Sequence, residues 1–368
     1  MRHLIYLISI TIFLGFVTGV NIYFSKRFSW YFGIPQINRL YIVFALLTVF
    51  MIGGIMIFTN SINPIGRIIY MCASISMGFA VYLIMSVLLV DLIQFLVKVK
   101  PVYYGMIAIT IAVLVFLYGI RNAYNLKTSS IEVPIKGITK EIRALHLSDI
   151  HLGHFRGKDY MQKIVDATKK INIDVVFLTG DLFDGKIKLN MEVISPFEQL
   201  EVPIYFVEGN HDGYTDSKRI KQELRETGII VLENEVTNWG EFQIIGLNHM
   251  PADSQSKDMH ATVEHATIKD ILPTLDIDKE KPSILLHHRP VGIIYANEQG
   301  VDLYLAGHTH GGQLFPVNYI AKLMFPYHKG LHDFNGTKIY VTQGAGTFGP
   351  PLRVGTKSEI AVVVLKPD

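Results

Sequence analysis

Four long apolar runs fill the first 120 residues, at 4–24, 40–58, 68–90 and 102–120. A helix needs about 20 mostly apolar residues to cross a bilayer, so the pattern predicts about four transmembrane helices. The first run is too long for a signal-peptide core and no small-residue cleavage site follows it, so it reads as an anchor. Beyond residue 140 the pattern changes to short apolar runs alternating with segments of helical period. Strands are expected at 142–147, 173–178, 204–207, 242–247, 283–286, 303–305, 338–341 and 359–365. Helices are expected at 158–171, 191–200 and 216–227. Residues 121–140, with Pro134 and Gly137 as breakers, read as a polar linker. The expected organisation is therefore an N-terminal all-α transmembrane region (1–120), a linker (121–140) and an α/β domain (141–368). No repeat of 20 to 50 residues occurs, which excludes a solenoid.

Charge divides the chain at the same place. Residues 1–120 carry seven Lys or Arg and one acid, Asp91, and the remainder carries 27 basic and 31 acidic residues. The acidic second part excludes nucleic acid as an expected partner, since that would require a basic patch. Asp91 ends the third run and, followed by Lys98 and Lys100, is expected at the membrane interface. Lys26, Arg27, Arg39, Lys98 and Lys100 lie in the first and third loops, against Arg2, Arg67, Arg121 and Lys127 on the other side. A margin of one charge favours both termini outside and an extracytoplasmic second domain. The single cysteine, Cys72, falls in a predicted span, so the second domain has no thiol chemistry.

The chemistry sits where the predicted strands end. Four apolar runs close on glycine or serine and then a donor: Asp149, Asp181, Asn210 and His308. Ligands in α/β sheets bind outside the carboxyl ends of the strands, so these donors are expected on one rim. Asp149 with His151, and His308 with His310, are two apart, and His287 and His288 follow the strand at 283–286. Carboxylate, amide and imidazole donors without sulfur suit Mn, Fe or Zn. His146 reads as a core histidine, while His154, His249, His328 and His332 are expected in loops near the rim, exposed to solvent by default with substrate contact as the alternative. Asp184 and Asp212 have N-cap or supporting roles as alternatives to substrate contact, and Arg353 is open between a phosphate clamp and a surface residue.

The blocks LSDIHLG (147–153), TGDLFD (179–184), VEGNHD (207–212), LLHHRP (285–290) and AGHTHGGQ (306–313) occur in this order. Together they resemble the calcineurin-like metallophosphoesterases over essentially all of 142–366. The closing stretch 343–362 is similar to the membrane-associated branch, which includes bacterial enzymes acting on lipid-linked substrates.

The resemblance implies a β-sandwich flanked by helices, with two divalent ions as cofactors. One would be held by Asp149, His151, Asp181 and His310, the other by Asp181, Asn210, His288 and His308. His211 would be the general acid. Gly185 departs from the arginine often found after the second block. The expected function is a membrane-anchored phosphoesterase that uses water activated by the ions on a phosphate ester, diester or pyrophosphate. Its partners would be the bilayer and a phosphorylated, lipid-linked substrate. A tethered phosphodiesterase for a soluble nucleotide, and a transporter or receptor with a regulatory phosphoesterase-like domain, are the competing readings. The sequence leaves the oligomeric state open.

Overall fold

The computed structural model describes residues 2–184, 191–256 and 266–368. It divides into a unit of Met1–Thr59 with Asn63–Tyr118 and a unit of Gly119–Asp368 with Asn60–Ile62.

The first unit is built on α1 (Arg2–Phe32), α2 (Ile37–Phe58), α3 (Pro64–Ile93) and α4 (Pro101–Tyr124). All four are long and apolar enough to cross a membrane. Asn63 caps α3 through its side chain, which accepts from the Gly66 N–H, and Pro64 takes the first helical position, where a missing N–H costs nothing. The α1 helix outruns its apolar stretch because its polar residues find a partner. Arg27 lies 2.6 Å from Asp91, and Tyr31 donates to the same carboxylate at 3.1 Å.

In the second unit the chain runs through β1 (Leu126–Ile135), β2 (Ile142–Leu147), α5 (Lys158–Thr168), β3 (Val175–Thr179), β4 (Ile204–Val207), α6 (Asn210–Thr215), α7 (Ser217–Glu226) and β5 (Ile230–Val231). It continues through β6 (Glu235–Trp239), β7 (Phe242–Gly246), α8 (Ile268–Ile271), β8 (Ser283–Leu286), α9 (Ile293–Glu298), β9 (Leu303–Ala306), α10 (Val317–Met324), β10 (Gly330–Phe334), β11 (Thr337–Val341) and β12 (Ser358–Pro367). The strands form two six-stranded sheets, ordered β1-β12-β2-β3-β4-β5 and β10-β11-β9-β8-β7-β6.

Alternation along each strand decides the layering. Val175 and Phe177 of β3 pack with Phe242, Leu286, Leu305 and Tyr340 of the other sheet. Val176 and Leu178 point the opposite way, against Ile164 of α5 and Leu224 of α7. On the far side Ile268 and Ala296 cover Ile245, Leu285 and Tyr304. The result is the expected sandwich flanked by helices. Each fully buried phenylalanine such as Phe177 contributes about 2–3 kcal/mol of transfer free energy.

One segment departs from the sequence reading. The expected linker at 121–140 holds the end of α4 and the whole of β1, which pairs in parallel with β12. Ile131, Val133 and Ile135 alternate and turn toward the inter-sheet core, a period that the breakers masked. Pro134 is tolerated because β1 is an edge strand.

Candidate metal centre

Strands β2, β3 and β4 run parallel in one sheet, and β7, β8 and β9 in the other. Their carboxyl ends carry the donors to one place. Asp149, His151, Asp181, His308 and His310 all have left-handed backbone, with φ of 53°, 51°, 52°, 69° and 50°. This conformation is uncommon outside glycine and is better tolerated by Asp and His, and such residues cluster at functional sites. Neighbouring glycines make the convergence possible. A Cβ on Gly209 would overlap the Asp181 carboxylate, and one on Gly307 would overlap Ser148 and Asp149.

Two donor groups result. In the first, Asp149, His151 and His310 are all buried. The Nε2 atoms of His151 and His310 are 3.2 Å apart, and His310 Nε2 lies 3.2 Å from Asp149 Oδ1. In the second, His288 Nε2 is 3.2 Å from Asp181 Oδ2 and 3.2 Å from His308 Nδ1, which is 3.1 Å from Asn210 Oδ1. Asp181 Oδ2 is also 3.7 Å from His151 Nε2, so its carboxylate faces both groups. Donors bound at 2.0–2.1 Å around one ion stand roughly 3 Å apart, so these spacings fit a metal in each group.

Protonation supports the same fit. His288 Nδ1 donates to the Thr179 carbonyl at 2.7 Å, which turns Nε2 toward Asp181 as the nitrogen that would bind an ion. Burial opposes charging of this ring, but Asp181 outweighs it and pushes His288 up to about 9. Burial and the charge of His211 push His151 down to about 4. Asp181, whose burial alone would favour the neutral acid, is held well below the usual carboxylate range by His288 and His211. The cluster is thus short of positive charge, which divalent ions supply.

Around the donors sit their supports. Asp212 accepts backbone N–H groups from Asp181, Leu182, Phe183 and Gly209 at 2.8–3.1 Å. His211 Nδ1 donates to Asp184 Oδ1 at 3.0 Å, and the same oxygen lies 3.9 Å from His151 Nδ1. Arg353 is fully buried, not a surface residue. It donates to the carbonyls of His310, Gly344 and Gly346, and its Nη2 lies 3.3 Å from His310 Nδ1. That places it behind His310, shaping the 343–346 loop. Gly185 lies outside the described residues.

None of the four histidines expected in exposed loops is exposed: His328 and His332 are half-buried, and His332 lies within β10. His154 is buried. His249 lies just past β7, with its ring 5.8 Å from His288 and 6.3 Å from His308. His249 follows Gly246, the last residue of β7, by three positions, so the pattern of glycine followed directly by a donor does not mark it. His287 is buried beneath the centre: its Nδ1 meets the Arg289 carbonyl at 2.8 Å and Tyr304 Oη at 2.9 Å, and the Met250 N–H donates to its Nε2 at 3.4 Å. It holds the 248–250 loop. His146, as expected, is a core residue, 2.8 Å from Thr179 Oγ1.

Comparison with known proteins agrees with this geometry. Residues 142–312 match the family described as calcineurin-like phosphoesterase. A zebrafish protein called transmembrane protein with metallophosphoesterase domain is 32% identical over 286 residues, which cover 71% of this chain and 62% of its own length. An uncharacterized metallophosphoesterase of Campylobacter jejuni is 33% identical, covering 70% of this chain and 68% of its own. Another, from Aquifex aeolicus, is 32% identical over 70% of this chain and 98% of its own. The aligned part therefore spans somewhat under two thirds of the zebrafish relative. On these matches the chain belongs to the calcineurin-like metallophosphoesterase family.

Proposed function

We propose that this chain is a membrane-anchored, two-metal phosphoesterase whose substrate is an amphiphile bearing a phosphate ester. The observation that carries the hydrolase reading is the convergence of seven donors on two adjacent groups sharing Asp181. Asp149, His151, Asp181 and His310 would hold one ion, and Asp181, Asn210, His288 and His308 the other. Two such ions supply Lewis acidity and a nucleophile from water at neutral pH.

The remaining steps belong to the protein. Asp212 fixes the backbone of Asp181, so the shared carboxylate is held before substrate arrives. Thr179 sets the tautomer of His288. His211 is oriented by Asp184 through Nδ1, which leaves Nε2 to give its proton to the leaving oxygen. Burial opposes that proton, but Asp181 and Asp184 together push His211 up to about 9, so it is present at neutral pH.

The amphiphile reading rests on α10. Val317, Tyr319, Ile320, Leu323 and Met324 are exposed on this short helix, with Leu323 87% exposed, and Phe315 just before it is exposed too. Such a contiguous apolar surface on a soluble domain marks an interaction site. The same chain carries four helices able to span a bilayer, so a lipid surface is the partner at hand. At the end of α10 the Phe325 ring stands 5.6 Å from the His308 ring, edge to face, which ties the apolar ridge to the metal centre.

Substituting Leu323→Glu with Ile320→Glu tests this without touching Phe325. The ratio of turnover on a lipid phosphodiester to turnover on bis(p-nitrophenyl) phosphate should fall at least about tenfold, since even partial burial of two aliphatic side chains is worth more than about 1.4 kcal/mol. An unchanged ratio would assign α10 another role and favour a soluble substrate. The loop-charge bias supports an extracytoplasmic domain. Protease added to intact cells should then digest the chain beyond about residue 121, and protection until the membrane is opened would reverse that orientation.

A further inference from the structure

Beside the second donor group lies a cavity of about 550 Å³, within the ordinary size of small-molecule sites. Asn210 and His249 form its inner end, and Tyr214, Ser217, Lys221 and Glu233 line its walls. Both inner residues belong to the candidate centre or touch it: Asn210 Oδ1 is 3.1 Å from His308, and the His249 ring is 6.3 Å from the same histidine. The apolar ridge of α10 reaches His308 as well, through Phe325. One histidine ring at the second donor group is therefore the meeting point of an apolar ridge and a polar cavity.

The walls of the cavity are already ion-paired. Lys221 bridges Glu208, at 3.2 Å, and Glu233; Arg225 also pairs with Glu233, and Ser217 donates to Glu208. The two positive and two negative charges of this network cancel, and the other cation lining the cavity, Lys218, is exposed to solvent. A second phosphate would have to compete with carboxylates already in place for Lys221 and Arg225. A neutral group rich in hydroxyls would not, because each hydroxyl both donates and accepts, and the network offers charge-assisted partners of both kinds.

We propose that this cavity is the head-group subsite, and that the substrate is a phosphodiester joining a lipid on the α10 side to a neutral polyhydroxylated group in the cavity. The inference rests on the two-metal phosphoesterase reading and narrows it: a phosphomonoester would leave the cavity empty, and a pyrophosphate-linked nucleotide would place surplus negative charge in it. His211 lies next to the subsite, its ring 5.6 Å from that of Tyr214, which places the proton donor on the side from which the head group's oxygen would leave.

The test uses the full chain in detergent with added Mn, hydrolysing bis(p-nitrophenyl) phosphate. The competing ligands are dioctanoyl phosphatidylinositol, dioctanoyl phosphatidylethanol and dioctanoyl phosphatidate, which share their chains and differ in the head group. Phosphatidylinositol should inhibit at a concentration about tenfold lower than phosphatidylethanol. In the variant Ser217→Ala with Glu233→Gln that gap should close to about threefold or less. Equal inhibition by the two lipids in the wild-type chain overturns the proposal, and this comparison needs no variant to fold. A preference that survives the double substitution overturns it too, since the cavity would not be its source. Tighter inhibition by phosphatidate would replace the diester with a monoester substrate. No hydrolysis of the chromogenic diester with any divalent metal would instead remove the phosphoesterase reading itself, a distinct failure.

Discussion

The Asp212 carboxylate accepts the backbone N–H of Asp181 at 2.8 Å and, from complete burial, also gathers the N–H groups of Leu182, Phe183 and Gly209. One side chain thus ties the turn after β3 to the turn after β4 and sets the direction of the carboxylate shared by both donor groups. Asp212→Asn replaces an acceptor with an N–H donor facing those amides. We expect metal affinity to fall by about 10- to 100-fold, as it does when outer supports of metal ligands are lost. Metal titration followed by activity checks this, and undiminished affinity would show that the turn holds itself.

The three neighbouring histidines separate by role. His288→Ala should lose metal. His211→Ala should keep its metal and lose about 10²- to 10⁴-fold in rate, most on poor leaving groups. His287→Ala should lose stability first, since the Met250 N–H would be left without its acceptor at a cost of about 1–3 kcal/mol, while Tyr304 Oη keeps the Val291 carbonyl. Metal content, leaving-group dependence and unfolding midpoint distinguish the three. Parallel metal loss in all of them would contradict the assignment.

His146 gives the sandwich a pH dependence. Burial pushes this ring down to about 3 from an ordinary 6.5, against the opposing pull of Glu359. A histidine held neutral in the fold contributes stability that is complete above its unfolded value and is lost as pH falls toward its folded one. Between pH 6.5 and 4.5 the loss from this residue is on the order of 2–3 kcal/mol. Urea unfolding followed by Trp239 fluorescence should show a shallower pH slope for His146→Gln than for the wild type. Identical slopes would show that His146 is not the titrating group.

Much of the candidate site was legible because its chemistry sits at strand ends. Runs such as 173–178 and 303–305 end on glycine and a donor, and the buried strands require apolar residues whatever the function. His249 escaped because Leu247 and Asn248 separate it from Gly246 at the end of β7, where the other strand ends place a donor directly after glycine or serine. The roles of Asp212, Thr179 and Arg353 depend on backbone carbonyls and amides brought together from separate segments, such as Thr179 with His288 and Arg353 with His310, which no local pattern reports. Strand β1 was hidden for the opposite reason. Pro134 and Gly137 speak of a loop, but Gly137 lies beyond the strand and the sheet edge removes the penalty that Pro134 would carry elsewhere.

The most direct test of the account is metal content and hydrolysis measured together for the wild-type chain and for Asp181→Ala. Because one carboxylate faces both donor groups, the wild type should hold about two ions and hydrolyse bis(p-nitrophenyl) phosphate. The variant should hold fewer ions and lose hydrolysis while its unfolding midpoint shows a folded domain. A folded Asp181→Ala chain with undiminished metal and activity would contradict the shared-carboxylate centre.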